Sequence, residues 1–187
     1  MNGLKAFLFV CLGIVCCLVS CTPNPVPKPR PYLKLDYPEA VYANIQQAGP
    51  YHFELSSAAS IDFSTHARAK IRYPELKASI HLSYHRAAHQ LEPLLQEVDR
   101  RILEHRVKAD AIYVSPYEDL DKKVYALLYS LEGNVASPIQ FRATDSVKQV
   151  LSGALYFYAR PNYDSLLPAI KYIEKDIKHL IETLEWQ

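Results

Sequence analysis

Three runs of apolar and β-branched residues follow one another between positions 123 and 158, and short polar breaks separate them. The runs cover residues 124–131, 135–143 and 150–158, and the breaks are Glu-Gly-Asn at 132–134 and Thr-Asp-Ser at 144–146. Runs of this composition at hairpin spacing predict three antiparallel strands joined by tight turns. We expect the other elements to cover the sheet that these strands form.

Shorter runs on the N-terminal side predict further strands at 32–37, 51–55, 70–73, 77–84 and 111–115, the last ended by Pro116. Residues 56–69 are small and polar with weak periodicity, so they predict a loop, with a short strand as the alternative. In the segment 77–84, apolar side chains alternate with polar ones, which places Ala78, Ile80, Leu82 and Tyr84 on one face.

Residues 88–106 predict an amphipathic helix. Proline is tolerated in the first turn of a helix, where its missing N–H costs little, so Pro93 indicates that the helix begins near Leu91. Apolar side chains then recur at spacings of three and four at Leu91, Leu94, Leu95, Val98 and Ile102.

A second amphipathic helix is predicted at the C-terminus, after the capping side chains of residues 162–165 and with Pro168 near its first turn. Its apolar stripe consists of Leu166, Leu167, Ile170, Ile173, Ile177, Leu180, Ile181 and Leu184. Its polar face carries Lys171, Glu174, Lys175, Lys178 and Glu182. Because this face has charges of both signs, it favours packing on the core over binding to a membrane surface.

The elements together predict an α+β domain in which a mostly antiparallel sheet is layered with two amphipathic helices. Their order is similar to that of the Mog1/PsbP-like α-β-α sandwich, which is an analogy at the level of the fold.

The N-terminus has the features of a lipoprotein signal peptide. Lys5 precedes the apolar residues 6–18, and Leu-Val-Ser at 18–20 leads into Cys21 as a lipobox. The apolar run is shorter than the ~20 residues that span a bilayer, so a signal cleaved after residue 20 is favoured over an uncleaved anchor or a buried helix. Cys21 is the predicted site of diacylation, and stable anchoring takes about two acyl chains or equivalent signals.

Every second residue from 23 to 31 is a proline, which favours an extended polyproline II segment. At ~3.1 Å per residue, these residues reach about 30 Å from the lipid. We therefore predict a signal peptide at 1–20, a lipidated cysteine with its proline-rich tether at 21–31 and a single α+β domain at 32–187. A proline-rich recognition ligand is the alternative for the tether.

The composition argues against disulfide-bonded, C-x-x-C and nucleic-acid-binding proteins. Cys11, Cys16 and Cys17 lie in the signal, so the mature chain keeps Cys21 alone and has neither an intrachain disulfide nor a C-x-x-C site. Removing Lys5 with the signal reduces 21 basic and 20 acidic residues to 20 of each. A neutral mature chain argues against a nucleic-acid partner, which calls for a basic face.

Four segments carry a resemblance to a known family: KASIHLSY at 77–84, ASPIQFRATDS at 136–146, GALYF at 153–157 and DSLLPAIKYIEKDIKHLIETLEW at 164–186. They resemble the gliding-motility lipoprotein GldD family of Bacteroidetes. The resemblance runs from Cys21 to Trp186 and brings no catalytic motif with it. It implies a part in gliding motility that is coupled to the type IX secretion machinery.

The resemblance also implies partners and an orientation. The partners are the membrane, reached through the N-terminal lipid, and other gliding or secretion lipoproteins or motor-associated envelope proteins. No acidic cluster follows Cys21, although surface-exported Bacteroidetes lipoproteins commonly carry one. We therefore expect the protein to face the periplasm, from the inner membrane or the inner leaflet of the outer membrane.

Three histidines recur at intervals of four residues, at His81, His85 and His89. On a helix they would lie on one face and bind a metal, but this segment alternates as a strand. At ~3.3 Å per residue, His81 and His85 are about 13 Å apart on a strand, too far to share a zinc ion with bonds of about 2.0 Å. Polar surface histidines are therefore favoured over a metal site.

The sequence has no G-x-S-x-G, H-E-x-x-H or phosphate-binding glycine motif. Asp145 and Ser146 with His81 or His85 form a conceivable triad, but Thr-Asp-Ser fits turn chemistry better. The remaining carboxylates that suggest acid–base chemistry are expected in a solvated loop: Asp110, Glu118, Asp119 and Asp121. We predict a non-enzymatic protein without a cofactor, with a periplasmic small-ligand binder or hydrolase as the alternative.

Fourteen tyrosines are present, and several lie in or beside predicted strands. Tyrosine is favoured at protein interfaces, but it also suits a half-exposed sheet position. The segment 134–146 combines a turn, a strand and polar tips, which predicts an edge or patch that faces a partner. Its proposed contact residues are Asn134, Ser137, Gln140, Arg142 and Asp145.

Overall fold

A computed structural model describes Gly3 and residues 37–45, 49–87 and 90–187. Cys21, the proline-rich tether, His89 and all but the last residue of the strand predicted at 32–37 lie outside these residues. The described residues from Tyr37 onward belong to one compact unit.

The elements follow in the order β1 (Tyr42–Asn44), β2 (Tyr51–His52), β3 (Glu54–Ser56), β4 (Ser60–Thr65), β5 (Arg68–Tyr73), β6 (Ala78–Arg86), α1 (Leu91–Glu104), a 3-10 helix (His105–Lys108), β7 (Ala111–Asp119), β8 (Val124–Glu132), β9 (Ile139–Thr144), β10 (Gln149–Phe157), α2 (Tyr163–Glu182) and β11 (Glu185–Trp186).

Within the described residues, a seven-stranded sheet has the order β4-β5-β6-β10-β9-β8-β7, and every pair in it is antiparallel. The predicted meander is confirmed as β8, β9 and β10, which pair consecutively. Two small antiparallel pairs, β1 with β3 and β2 with β11, flank the main sheet. The expected α+β class, with two helices and a mostly antiparallel sheet, is confirmed.

One face of the sheet packs against α2. The side chains on this face come from alternate positions of the central strands, because successive residues of a strand point to opposite faces. Ile71, Ile80, Leu155 and Ile139 form one row across four strands and are at most 1% exposed. They join one core with the buried apolar stripe of α2.

The other face packs against α1 over part of its width. Val98 and Ile102 of α1 contact a smaller core that contains Tyr129 of β8 and Val150 of β10. The two helices therefore lie on opposite faces of the sheet. This α-β-α layering is the arrangement expected from the sequence, and the relation to Mog1/PsbP-like proteins stays a prediction.

Three strand boundaries differ from the prediction. Residues 60–65 form edge strand β4 rather than a loop, because Ile61 and Phe63 pack onto the core while their neighbours face water. Strand β7 continues through Pro116, which pairs with Leu127. A proline is tolerated there because β7 is an edge strand, where a position without an N–H can face away from the ladder. The strand expected from residue 135 begins only at Ile139.

The start of α2 is capped from outside the helix. Asn162 is its N-cap residue and makes no side-chain cap bond, whereas Oδ1 of Asn134 accepts a hydrogen bond from the Tyr163 amide at 3.0 Å. This bond ties the loop after β8 to the helix. The predicted capping site at 162–165 therefore has the right place, but Asn162 does not supply the cap.

We predict that Asn134→Ala lowers the free energy of unfolding by about 1 kcal/mol, because a helix-terminal N–H loses its acceptor. The matched change Asn162→Ala removes an amide that caps nothing and should have less than half of this effect. Urea unfolding of the two variants measures the difference. Equal losses would show that the Asn134 bond contributes nothing.

Helix α2 buries two carboxylates. The sequence pattern placed one of them, Glu174, on the polar face and did not single out the other, Asp176. Glu174, expected on the polar face, is 8% exposed and forms ion pairs with Lys171 at 2.8 Å and Lys178 at 3.1 Å. Asp176 is 5% exposed and accepts hydrogen bonds from the hydroxyls of Tyr42 at 2.7 Å and Tyr73 at 3.0 Å. Hydrogen bonding compensates the burial of these charges.

The N-terminal part of the described domain is bound to the same helix. Besides the Tyr42 bond, the hydroxyl of Tyr172 donates to the backbone carbonyl of Pro38 at 3.1 Å. The rings of Tyr37 and Tyr172 lie 5.1 Å apart. Residues 37–42 are therefore held on α2 by side chains from two successive turns of that helix.

Candidate functional site

Helix α1 leaves part of its sheet face uncovered, and a groove of about 680 Å³ lies there. We call it the sheet groove. Strands β5, β6, β10 and β9 form its floor, and Val98, Arg101 and Ile102 of α1 form one wall.

Small side chains create the groove. Lys70, His81, Ala154 and Gln140 form one cross-strand row, because they pair in that order across four strands. Ala154 in the middle leaves space that a larger residue would fill. Other small residues that line the groove are Ser79, Ser83 and Ser152.

The groove contains one buried polar group without a partner. Gln140 is 4% exposed, lines the groove, and its Nε2 makes no hydrogen bond with any described residue. Buried polar atoms in folded proteins nearly always have a partner, so this donor is an exception that calls for an explanation. Gln140 was among the residues expected to contact a partner.

His81 and His85 lie on the floor of the groove. They are four residues apart in β6, so both side chains are on the same face of the sheet. Partial burial lowers the pKa of His81, and the charge of Lys70 lowers it further. Burial also lowers the pKa of His85, with added effects of Arg101 and Arg68. Among the described residues, no group of three or more His, Cys, Asp or Glu side chains could hold a metal ion.

Arg142 is used inside the domain. Its Nε donates to Oδ1 of Asp99 at 2.5 Å, and the Tyr129 hydroxyl donates to the same oxygen at 2.9 Å. Asp99 lies on α1, so these bonds attach the helix to β8 and β9. The Arg142 side chain keeps only 15% of its surface exposed.

Asp145 and Ser146 form a turn and do not line the sheet groove. Oδ1 of Asp145 accepts the backbone N–H groups of Val147, Lys148 and Gln149 at 2.9, 2.7 and 2.8 Å. Ser146 has a positive φ of 61°. The turn chemistry expected for Thr-Asp-Ser is therefore present, and the triad alternative gains no support, because His81 lines the sheet groove and Asp145 and Ser146 do not.

The segment 134–146 does not form a sheet edge, so that part of the expectation is wrong. Strand β9 lies between β10 and β8 in the interior of the sheet. Ser137, Gln140 and Asp145 are buried, and the Ser137 hydroxyl donates to the carbonyl of Ile139 at 3.3 Å. Asn134 is exposed but caps α2. Whether this segment binds a partner stays a prediction.

Two of the carboxylates considered for acid–base chemistry have a role in the fold instead. Asp119 accepts the backbone N–H of Lys122 at 2.9 Å, as a turn residue does. The Asp110 side chain packs against Gly133, whose φ of 104° is accessible to glycine. The strand tyrosines differ in exposure: Tyr129 is 5% exposed, whereas Tyr113 and Tyr158 are more than half exposed.

No helix within the described residues is long and apolar enough to cross a membrane. A model of the family described as gliding motility lipoprotein GldD matches residues 22–186. The chain belongs to this family. The match covers nearly all of the sequence, including every strand and helix of the sheet domain and the sheet groove. No curated protein matches the chain.

Membership in the GldD family implies a lipoprotein that is linked to gliding motility and is held at a membrane of the cell envelope. The resemblance stated from the sequence is thereby confirmed. The site residues Gln140 and Arg142 both lie within the matched range, in the interior of the domain that the family shares.

Proposed function

We propose that this protein is a lipid-anchored, periplasm-facing and non-enzymatic component required for assembly or stability of the gliding-motility machinery and the associated type IX secretion system. In this proposal, residues 1–20 are a cleaved signal, Cys21 carries the lipid, residues 21–31 are the tether and residues 32–187 bind envelope partners. Family membership supports the link to gliding. The structural use of Asp145 and Asp119 supports a non-enzymatic role.

The observation that carries the partner-binding role is a concentration of exposed apolar side chains. Among the described residues, eight large hydrophobic residues are exposed, and five of them fall within the 18 positions 103–120. They are Leu103, Val107, Tyr113, Val114 and Leu120. Contiguous exposed apolar side chains are typical of protein-interaction sites, and these five lie close together in the sequence, on α1, the 3-10 helix, β7 and the turn that follows β7.

Strand β7 gives this stretch a defined geometry. It is an edge strand of nine residues, with Tyr113 at 55% and Val114 at 49% exposure on its opposite faces. Pro116 has no N–H, so it interrupts the hydrogen-bonding edge that another strand would need for continuous pairing. The proposed partner therefore contacts β7 mainly through side chains.

The proposed mechanism is tethering. The lipid fixes the depth of the domain, and the tether sets its reach at about 30 Å. Confinement near one membrane raises the effective concentration of the domain toward partners on that membrane, which strengthens binding without further contacts.

The test uses the tagged full chain in cells that depend on it for gliding. We predict that Tyr113→Glu with Val114→Glu abolishes recovery of other gliding lipoproteins from detergent-solubilised envelopes and stops colony spreading. The matched control Val147→Glu places a charge at another exposed valine, 69% exposed in the turn before β10, and should preserve both. Unchanged recovery and spreading in the double variant would refute β7 as the interface.

Cys21→Ala tests the anchor separately. We expect this variant to lose membrane attachment and to recover fewer partners, because binding then depends on the domain alone. Full recovery and normal gliding without the lipid would contradict the tethering mechanism while leaving the β7 interface intact.

A further inference from the structure

We propose that the sheet groove is a binding site for a small organic anion. Lys70 would hold a carboxylate or phosphate group of the ligand, and Gln140 would donate from Nε2 to one of its oxygens. This site is separate from β7 and does not depend on the proposed partner.

The first argument is the unpaired donor. Gln140 is 4% exposed, and its Nε2 has no acceptor among the described residues, although the neighbouring Tyr129 and Arg142 are both hydrogen-bonded to Asp99. A buried amide without a partner destabilises the fold. Because Nε2 is itself buried, a rotation of the Gln140 side chain toward the groove would bring this donor to a ligand oxygen.

The second argument is the charge of the groove. Lys70 pairs with no carboxylate of the described residues, and its Nζ lies 5.3 Å from the ring centroid of Tyr158. Arg101, the other lysine or arginine in the lining, pairs with Glu97 at 2.8 Å, and Arg72 pairs with Asp62 at 2.7 Å. Glu104, the acidic residue in the lining, pairs with Arg100. Among the lysine and arginine residues that line the groove, Lys70 is therefore the one without a carboxylate partner.

The third argument is the size and chemistry of the space. A volume of about 680 Å³ lies in the range of small-molecule sites, roughly 300–1,000 Å³. Lys70 and Gln140 are separated by three strand spacings of ~4.8 Å, or about 14 Å between their Cα atoms. Val98 and Ile102 of α1 add apolar side chains to the lining. A molecule with a carbon skeleton fits this arrangement better than an inorganic ion.

The experiment is calorimetric titration of the detergent-purified full chain with citrate, with glucose 1-phosphate and with uncharged glucose. We expect saturable binding of citrate or glucose 1-phosphate and none of glucose, and the anion that binds identifies the preferred group. Lys70→Gln and Gln140→Leu should each weaken binding about tenfold or more. The control Lys175→Gln, which removes an exposed charge from α2 on the opposite side of the sheet, should leave binding unchanged.

A second variant protects the test against misfolding. Gln140→Met keeps the length of the side chain and removes the donor without burying a charge, so it should also weaken anion binding while thermal unfolding reports an intact fold. The proposal is overturned if neither anion binds saturably at concentrations up to about 10 mM, an affinity near −3 kcal/mol. It is equally overturned if Lys175→Gln weakens binding as much as Lys70→Gln does, since the attraction would then be non-specific charge.

Discussion

Gly153→Ala is expected to lower the free energy of unfolding by about 3 kcal/mol. A Cβ at this position would lie 2.6 Å from Cζ and 2.9 Å from Cδ1 of Phe141, closer than carbon atoms approach in folded proteins. Gly153 and Phe141 pair across the two central strands β10 and β9, and the Phe141 ring covers the glycine. For a domain of this size, the loss corresponds to a melting temperature about 6–12 °C lower.

The Phe141 ring cannot give way without disturbing the core. It is fully buried, and it belongs to the same core as Leu82 and Leu128 on the face covered by α2. Differential scanning calorimetry measures the effect, and Gly49→Ala is the matched control because its added Cβ would come no closer than 3.8 Å to Tyr51 O. Combining Gly153→Ala with Phe141→Leu should cost less than the sum of the single changes. Strict additivity would contradict the proposed overlap.

Asp145→Ala is expected to cost about 2–4 kcal/mol. The side chain is 8% exposed, and Oδ1 alone accepts three consecutive backbone N–H groups, including that of the buried Gln149. Without the carboxylate, these donors lose their acceptor, and the amide of the buried Gln149 is the one that water replaces least well. Asp145→Asn keeps one acceptor oxygen, so it should cost less than Asp145→Ala in urea unfolding at pH 7.

The same carboxylate predicts a pH dependence. Burial acts to raise the pKa of Asp145, but the hydrogen bonds from the Gln149, Lys148 and Val147 amides outweigh it and hold the pKa below its ordinary value. The unfolded chain binds this proton more tightly, with a pKa of about 3.9. The stabilisation is therefore present above about pH 4 and is lost as the pH falls through the lower pKa of the folded state.

Comparing the parent chain with Asp145→Asn across pH 2–7 tests this dependence. The difference in unfolding free energy between the two proteins should shrink on acidification, because the asparagine has no proton to gain. A constant difference would mean that Asp145 does not titrate in this range.

Local patterns were sufficient to predict most of the fold. The three apolar runs and their polar breaks predicted the β8–β9–β10 meander, because hairpins depend on residues close in sequence. Pro93 correctly indicated a helix that begins at Leu91. Pro116 led to a wrong end for the strand predicted at 111–115, because a proline ends a central strand but is tolerated in an edge strand. Which strand lies at the edge depends on the tertiary structure and cannot be read from the local sequence.

The candidate site was largely beyond sequence reasoning. Lys70, His81, Ala154 and Gln140 form one row only because four strands align in a particular register, and Lys70 and Gln140 are far apart in the chain. The sequence placed Gln140 on an edge or patch that faces a partner, whereas the interior position of β9 in the sheet buries it. Asp176 was missed for a related reason, since its tyrosine partners come from distant strands.

The attachment of residues 37–42 to α2 has a mechanical consequence. If Cys21 is fixed in a membrane, a pull on the domain enters the described structure at Tyr37. It meets the Tyr172–Pro38 bond and then the Tyr42–Asp176 bond before it reaches the central sheet. Load would therefore pass into the C-terminal helix rather than peel strands from the sheet edge.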